Sequence, residues 1–176
     1  KEFINAEKLE EIVFTSGTTE SLNMIANGFF RGLLEPEDEI LITKSEHASN
    51  VLPWFRLAKE TGCKIRYIDL DSNGYVTMEN VKKSVTPNTK VISIAHVTNV
   101  IGDTRPISEI IKFAHKKGIK VVIDAAQSAP HISLDVRKND IDFLVFSAHK
   151  MCGPTGVGVL YINKKIINEK YRRAKE

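Results

Sequence analysis

The sequence predicts an α/β fold, a three-layer sandwich in which helices cover both faces of a mostly parallel sheet. Three observations lead there. Short apolar runs of strand length alternate with segments of helical periodicity, the order that builds βαβ units. Residues 119–123 and 143–146 are almost continuously apolar rather than alternating, as strands buried on both faces are. Hydrophobic residues make up 42% and charged residues 27% of 176 positions, which suits one globular domain with a core and does not suit a disordered tail.

The elements follow in order. Residues 12–14 form a brief strand that runs into TSGTTE. Thr18 and Thr19 then stand at the start of a helical stretch reaching Phe30, with Glu20 in its first turn, where a negative charge meets the positive helix end. Residues 39–43 are the next strand. Residues 49–60 read as a helix, with Pro53 tolerated because it falls near the first turn. Residues 64–69 form a strand and 71–74 a turn, after which Thr77 caps a short helix to Ser84. Residues 89–95 form a strand enriched in β-branched side chains. Pro106 opens a helix with its apolar positions at Ile107, Ile110, Ile111 and Ala114, and Lys116, Lys117 and Gly118 suit its end. The strand at 119–123 is followed at once by Asp124. Strands at 143–146 and 157–162 and a terminal helix complete the chain.

Composition removes several function classes. The net charge is only +3, and the basic run NKKIINEKYRRAKE contains Glu169 and Glu176 beside Arg172 and Arg173, with Tyr171 its one aromatic; a nucleic-acid surface is not indicated. No apolar run is long enough to span a membrane, and the start has no signal-peptide pattern. The chain lacks an initiator Met, so it can begin partway through a longer protein or have had a leader removed. Cys63 and Cys152 are too few for a disulfide scaffold, and no HExxH or CxxC supports a metal site. His115, in a helix beside lysines, reads as an exposed residue, and Cys152 as a packing residue or bystander.

Polar residues collect just after the strands, and in such a sheet ligands bind outside the carboxyl ends of the strands. TSGTTE follows the first strand, KSEH the second, and His96 and Asn99 the strand ending at Ala95. Asp124 and Gln127 follow the next, and SAHKMCGPTG follows Phe146. Gly17, Thr18 and Thr19 can cradle a phosphate or make an ordinary capped loop. The Walker and Rossmann glycine patterns are absent. Asp124 can cap a helix formed by the residues after it or pair with a cationic ring nitrogen. Lys150 can be a surface lysine or a pocket amine that condenses with an aldehyde. His47 can be a loop histidine or a ring lying against a planar ligand.

SAHKMCGPTGVGVLY resembles the lysine motif of class V aminotransferase-like enzymes, which depend on pyridoxal phosphate. More narrowly it resembles the group II cysteine desulfurases of sulfur mobilisation, whose kin include selenocysteine lyases; GPTG rather than GPKG marks that group. FTSGTTESLNMIA, SEHASNVLPW, HVTNVIGDTRPI and VVIDAAQSAPH match in order and spacing, so the resemblance covers essentially the whole chain. It implies the type I fold of these enzymes, with Lys150 as the lysine that binds the cofactor and then shuttles protons. It implies that Asp124 pairs with the pyridinium nitrogen, that His47 stacks on the ring, and that Gln127 meets the phenolic oxygen. Thr18, Thr19, Ser147 and His149 would hold the phosphate, Asn99 would face the substrate carboxylate, and His96 would take a supporting role.

The activity implied is removal of sulfur from L-cysteine, or selenium from L-selenocysteine, giving alanine and an enzyme persulfide. The persulfide would be passed to a sulfur-acceptor protein of iron–sulfur cluster assembly, in a cytoplasmic homodimer. Kynureninase-like and epimerase-like members share the lysine and aspartate and are the alternatives, together with a non-catalytic domain of the same fold. The family's persulfide cysteine and carboxylate-clamping arginine have no match here, since neither Cys63 nor Cys152 stands at that position. The expectation is therefore that residues 1–176 are the central part of the large cofactor-binding domain. The small C-terminal domain and extreme N-terminus would be missing, and the chain would be inactive alone.

Overall fold

A computed structural model of the protein describes residues 1–173, with side-chain surroundings through residue 168. Among them lie seven strands: β1 (Ile12–Thr15), β2 (Glu39–Thr43), β3 (Lys64–Ile68), β4 (Thr89–Ala95), β5 (Lys120–Asp124), β6 (Phe143–Ser147) and β7 (Gly158–Ile162). The helices are α1 (Thr18–Asn23), which runs into a π-helical stretch Met24–Phe30, then α2 (Leu52–Thr61), α3 (Met78–Ser84), α4 (Ile107–His115) and α5 (Lys164–Arg173). The side chains of Glu169, Tyr171, Arg172 and Arg173, and the whole of Glu176, lie outside the described residues.

The strands form one sheet in the order β1-β7-β6-β5-β4-β2-β3. From β3 through β2, β4 and β5 to β6 all neighbours are parallel. β7 is antiparallel to both β6 and β1, so β1 points the same way as the parallel set. The reversal has a simple cause. The ten residues 148–157 between β6 and β7 are fewer than a parallel crossover needs, about a dozen or more.

Side chains alternate across the sheet and feed two apolar layers. On one face Ile92, Ile94, Val121, Ile123 and Leu144 pack with Ile107, Ile110, Ile111 and Ala114 of α4 and Val81 of α3. On the other, Val91, Val122, Phe143 and Val145 pack with Leu22, Ile25 and Phe30 and with Trp54 and Leu57 of α2. Phe30 and Trp54 meet edge to face at 5.8 Å, as Phe29 and Phe143 do at 5.0 Å; such contacts contribute roughly 0.5–1.5 kcal/mol each beyond burial. The four apolar positions read for α4 are all buried. Thr77 caps α3 by accepting the Asn80 N–H at 3.1 Å, and Pro53 lies in the first turn of α2. No helix among the described residues is long and apolar enough to cross a membrane.

His115 departs from the expectation. It is half-buried, and its Nε2 lies 2.9 Å from Asp142 and its Nδ1 3.3 Å from Asp140. Both acids come from the loop before β6, which folds back over the end of α4 and is remote from it in sequence.

Candidate active site

The common direction of β1, β2, β4, β5 and β6 brings five carboxyl ends to one edge, and the polar loops meet there. The first contact is between backbones. A Cβ on Gly158 would stand 2.4 Å from the Gly17 Cα, so the start of β7 runs directly against the loop after β1. That approach sets Thr18 against the end of β6. The Thr18 N–H donates to Ser147 Oγ at 2.8 Å, and the two hydroxyls also lie 2.8 Å apart. Gly153 is packed as tightly. A Cβ there would lie 2.8 Å from the Ala148 Cβ, and the Met151 and Gly153 N–H groups both donate to the Ala148 carbonyl. The GPTG turn is thereby folded under the single helical turn Ala148–Lys150, and Lys150 is left exposed at its end.

His47 caps the short helical turn Ala48–Asn50, its Nδ1 accepting the Ser49 N–H at 3.2 Å. In the neutral ring the proton then sits on Nε2. The Ser49 hydroxyl lies 3.0 Å from the same Nδ1 and 2.8 Å from Thr19 Oγ1, which ties the loop after β2 to the start of α1.

Asp124 is 5% exposed at the end of β5. Its Oδ1 accepts the Ala126 N–H at 2.9 Å and so closes a turn; no helix follows for it to cap. Burial pushes this carboxyl up to about 6; the Ala126 N–H opposes the rise, the Glu46 charge adds to it, and Lys150 and His47 pull it back. A buried carboxyl raised in this way suits a cation brought to it.

One cavity of about 220 Å³ gathers these groups. Thr18, Thr19, His47, Asn99, Asp124, Gln127, Ser147, His149 and Lys150 all line it, while Gly17, read with the two threonines as a phosphate cradle, does not. Ser49, Ala95, Val97 and Ala126 line it too and were not singled out. Ser49 had a signal, since it lies two residues after His47 in the same quoted segment. The alanines and the valine only shape the wall, and nothing in their residue type announces it. His96 does not line the cavity. Ala95 and Val97 on either side of it do; His96, just past the end of β4, is buried with Nδ1 unpaired, and burial lowers its pKa.

The donor set fits one kind of molecule. Hydroxyls and an imidazole suit a phosphate, Asp124 suits a protonated ring nitrogen, the His47 ring suits a flat face, and Lys150 suits an aldehyde. Pyridoxal phosphate has all four features.

Comparison with known proteins agrees. Residues 1–173 match the family model described as aminotransferase class-V. A probable cysteine desulfurase of Halalkalibacterium halodurans is 46% identical over 164 residues, covering 93% of this chain and 40% of that protein. A cysteine desulfurase of Haloferax volcanii is 43% identical over 169 residues, covering 96% of this chain and 40% of that protein. The chain thus spans about 40% of the length of these curated relatives. The crystal structure of the Escherichia coli cysteine desulfurase CsdA superposes with a TM-score of 0.91 at 38% identity, over 94% of this chain and 41% of that one. The apo structure of cysteine desulfurase from Thermococcus onnurineus gives 0.89 at 42% identity, over 95% of this chain and 41% of that one. Its sequence, its sheet and the residues of its cavity make this chain a member of the class-V aminotransferase family, with the fold of pyridoxal-phosphate enzymes and with cysteine desulfurases as its relatives.

Proposed function

We propose that the protein containing this chain is a pyridoxal-phosphate-dependent cysteine desulfurase of the group II type. It takes sulfur from L-cysteine, releases L-alanine and passes the sulfur, as an enzyme persulfide, to an acceptor protein of iron–sulfur cluster assembly. The observation that carries this is the convergence of Lys150, Asp124, His47 and the hydroxyl group set on one cavity, in a chain whose relatives are named as cysteine desulfurases.

Bound in the cavity, the cofactor supplies an electrophilic carbon and a protonated ring that draws electrons from the substrate α-carbon. The chain's own residues do the rest. Thr18, Thr19, Ser147 and His149 hold the phosphate. Asp124 keeps a proton on the ring nitrogen. His47 covers one face of the ring and Gln127 donates to its phenolic oxygen. Lys150 Nζ takes the proton from the substrate Cα, and Asn99 orients the substrate carboxylate. A cysteine thiolate would attack the substrate sulfur and form the S–S bond of the persulfide; the C–S bond would break with its electron pair left on Cβ, Cβ would take up a proton, and Lys150 would return one to Cα to complete alanine.

In this reading the attacking thiolate comes from outside residues 1–176. Cys63 is buried behind the sheet edge, where burial raises its thiol pKa, and neither Cys63 nor Cys152 lines the cavity. Residues 1–176 alone are then not a competent desulfurase, and the working form is a homodimer of the longer protein.

The test is chemical. The full-length protein is incubated with pyridoxal phosphate, reduced with borohydride and digested. The adduct is expected on Lys150, with alanine produced from L-cysteine by the unreduced protein and no adduct in Lys150→Ala. Labelling spread over surface lysines would sink the assignment.

A further inference from the structure

Beneath His47 lies a buried ion pair that no step above uses. The side chains of Glu46 and Arg105 are both fully buried and joined to each other through Oε1 and Nη1. Arg105 also donates to the Ala95 carbonyl at 3.3 Å, to Thr43 Oγ1 at 3.0 Å and to Ser45 Oγ at 2.7 Å. Glu46 accepts on both oxygens. Oε1 takes the Thr43 hydroxyl at 2.8 Å, and Oε2 takes the Ala95 N–H at 2.9 Å and Asn50 Nδ2 at 2.8 Å. Asn50 is held in turn by Ser93 Oγ at 2.6 Å.

These contacts surround one short segment. Glu46 immediately precedes His47, and Asn50 closes the helical turn that His47 caps. The Glu46 carboxylate therefore clamps both ends of the turn 46–50 and fastens it to Ala95, a wall of the cavity. Arg105, which reaches Thr43 and Ser45 from the other side, holds that carboxylate in place. A buried pair is costly to desolvate and is poor evidence for stability alone. A role in fixing geometry accounts for its placement.

We infer that Glu46 and Arg105 are positioning residues that hold the His47 ring in place at the cavity. The inference rests on the proposed role of His47 against the cofactor ring, but its main readout does not need cofactor. In the cofactor-free full-length protein, ring ¹⁵N shifts of His47 report whether Nδ1 is a fixed acceptor. Wild type is expected to show the Nε2–H form. Glu46→Leu, which has no acceptor for the Ala95 N–H or for Asn50 Nδ2, is expected to give a mixture of ring forms and at least tenfold weaker binding of pyridoxal phosphate. In the single variant the buried guanidinium keeps, among the described residues, only Asp103, 3.6 Å from its Nε, as an ionic partner; the double variant Glu46→Leu/Arg105→Met removes that guanidinium as well. It is expected to keep the same defect, because the lost contacts, not the charge balance, hold the turn.

A folded double variant with the wild-type His47 signature would overturn the inference. A displaced signature with unchanged cofactor affinity would support the positioning role and instead count against the stacking role of His47. Should the single variant not fold, the double variant and wild-type amide exchange still decide. Ala95 N–H and the 48–51 turn must exchange as slowly as the middle of β4, and rapid exchange there would refute the clamp.

Discussion

Asp124 shows how a single buried carboxyl works against the stability of the fold. Its carboxyl is pushed up to about 6 chiefly by burial. In the unfolded chain an aspartate ionises near its ordinary value, so between that value and 6 the unfolded state loses its proton first. The group's contribution to stability is full at low pH, declines as pH rises towards 6, and becomes a cost of about 3 kcal/mol at neutral pH. Asp124→Asn keeps an oxygen for the Ala126 N–H and removes the charge. The cofactor-free variant is expected to melt several degrees above wild type at pH 7.5 and with it at pH 4, while its affinity for pyridoxal phosphate falls. Equal melting at both pH values would show that the carboxylate is not strained. The residue was legible because an acid directly after an apolar strand has few explanations. Glu46 and Arg105 were not, because a buried pair 59 positions apart in sequence looks like two surface charges until the fold joins them.

At the scale of elements, strand and helix placement was largely legible, because each apolar run is long enough to cross the sheet once and each helix carries a periodic face. Strand direction was less so. Only the loop length before β7 held that information, and an apolar run reads the same in both directions. The clamp at the end of α4 was missed for a related reason. His115 among lysines looks solvated, yet Asp140 and Asp142 are brought to it by the turn into β6, where Asp142 also accepts the Val121 N–H at 2.8 Å. The hydrogen bond to Asp142 raises the His115 pKa against the effects of burial and Lys120. The protonated ring is thus favoured by folding. Its contribution is full below the ordinary histidine value and is lost as pH rises through the raised one. His115→Gln is expected to cost roughly 1–2 kcal/mol at pH 5.5, the scale of a hydrogen bond to a charged group, with the gap from wild type narrowing by pH 8.5. Thermal melts at the two pH values check this, and a gap that widens with pH would reverse the assignment.

Across the whole molecule, the site belongs to no single element. Its groups run from Thr18 to Lys150 and hang from the ends of five strands, so the cavity exists only while the sheet order β1-β7-β6-β5-β4-β2-β3 is intact. A ligand held by all of these ends binds the folded sheet and finds nothing comparable in the unfolded chain. Its binding energy is then folding energy: a free concentration a hundred times the dissociation constant adds about 2.7 kcal/mol. In the full-length protein, pyridoxal phosphate is expected to raise the melting temperature by several degrees in one cooperative transition. Lys150→Ala should keep part of that gain, because Asp124, Gln127 and the hydroxyls at Thr18, Thr19 and Ser147 still hold the molecule without the covalent bond. Calorimetry with and without cofactor separates the outcomes. A gain confined to a separate minor transition would mean that the cofactor steadies a loop, and no gain in wild type would mean that these strand ends do not form its site.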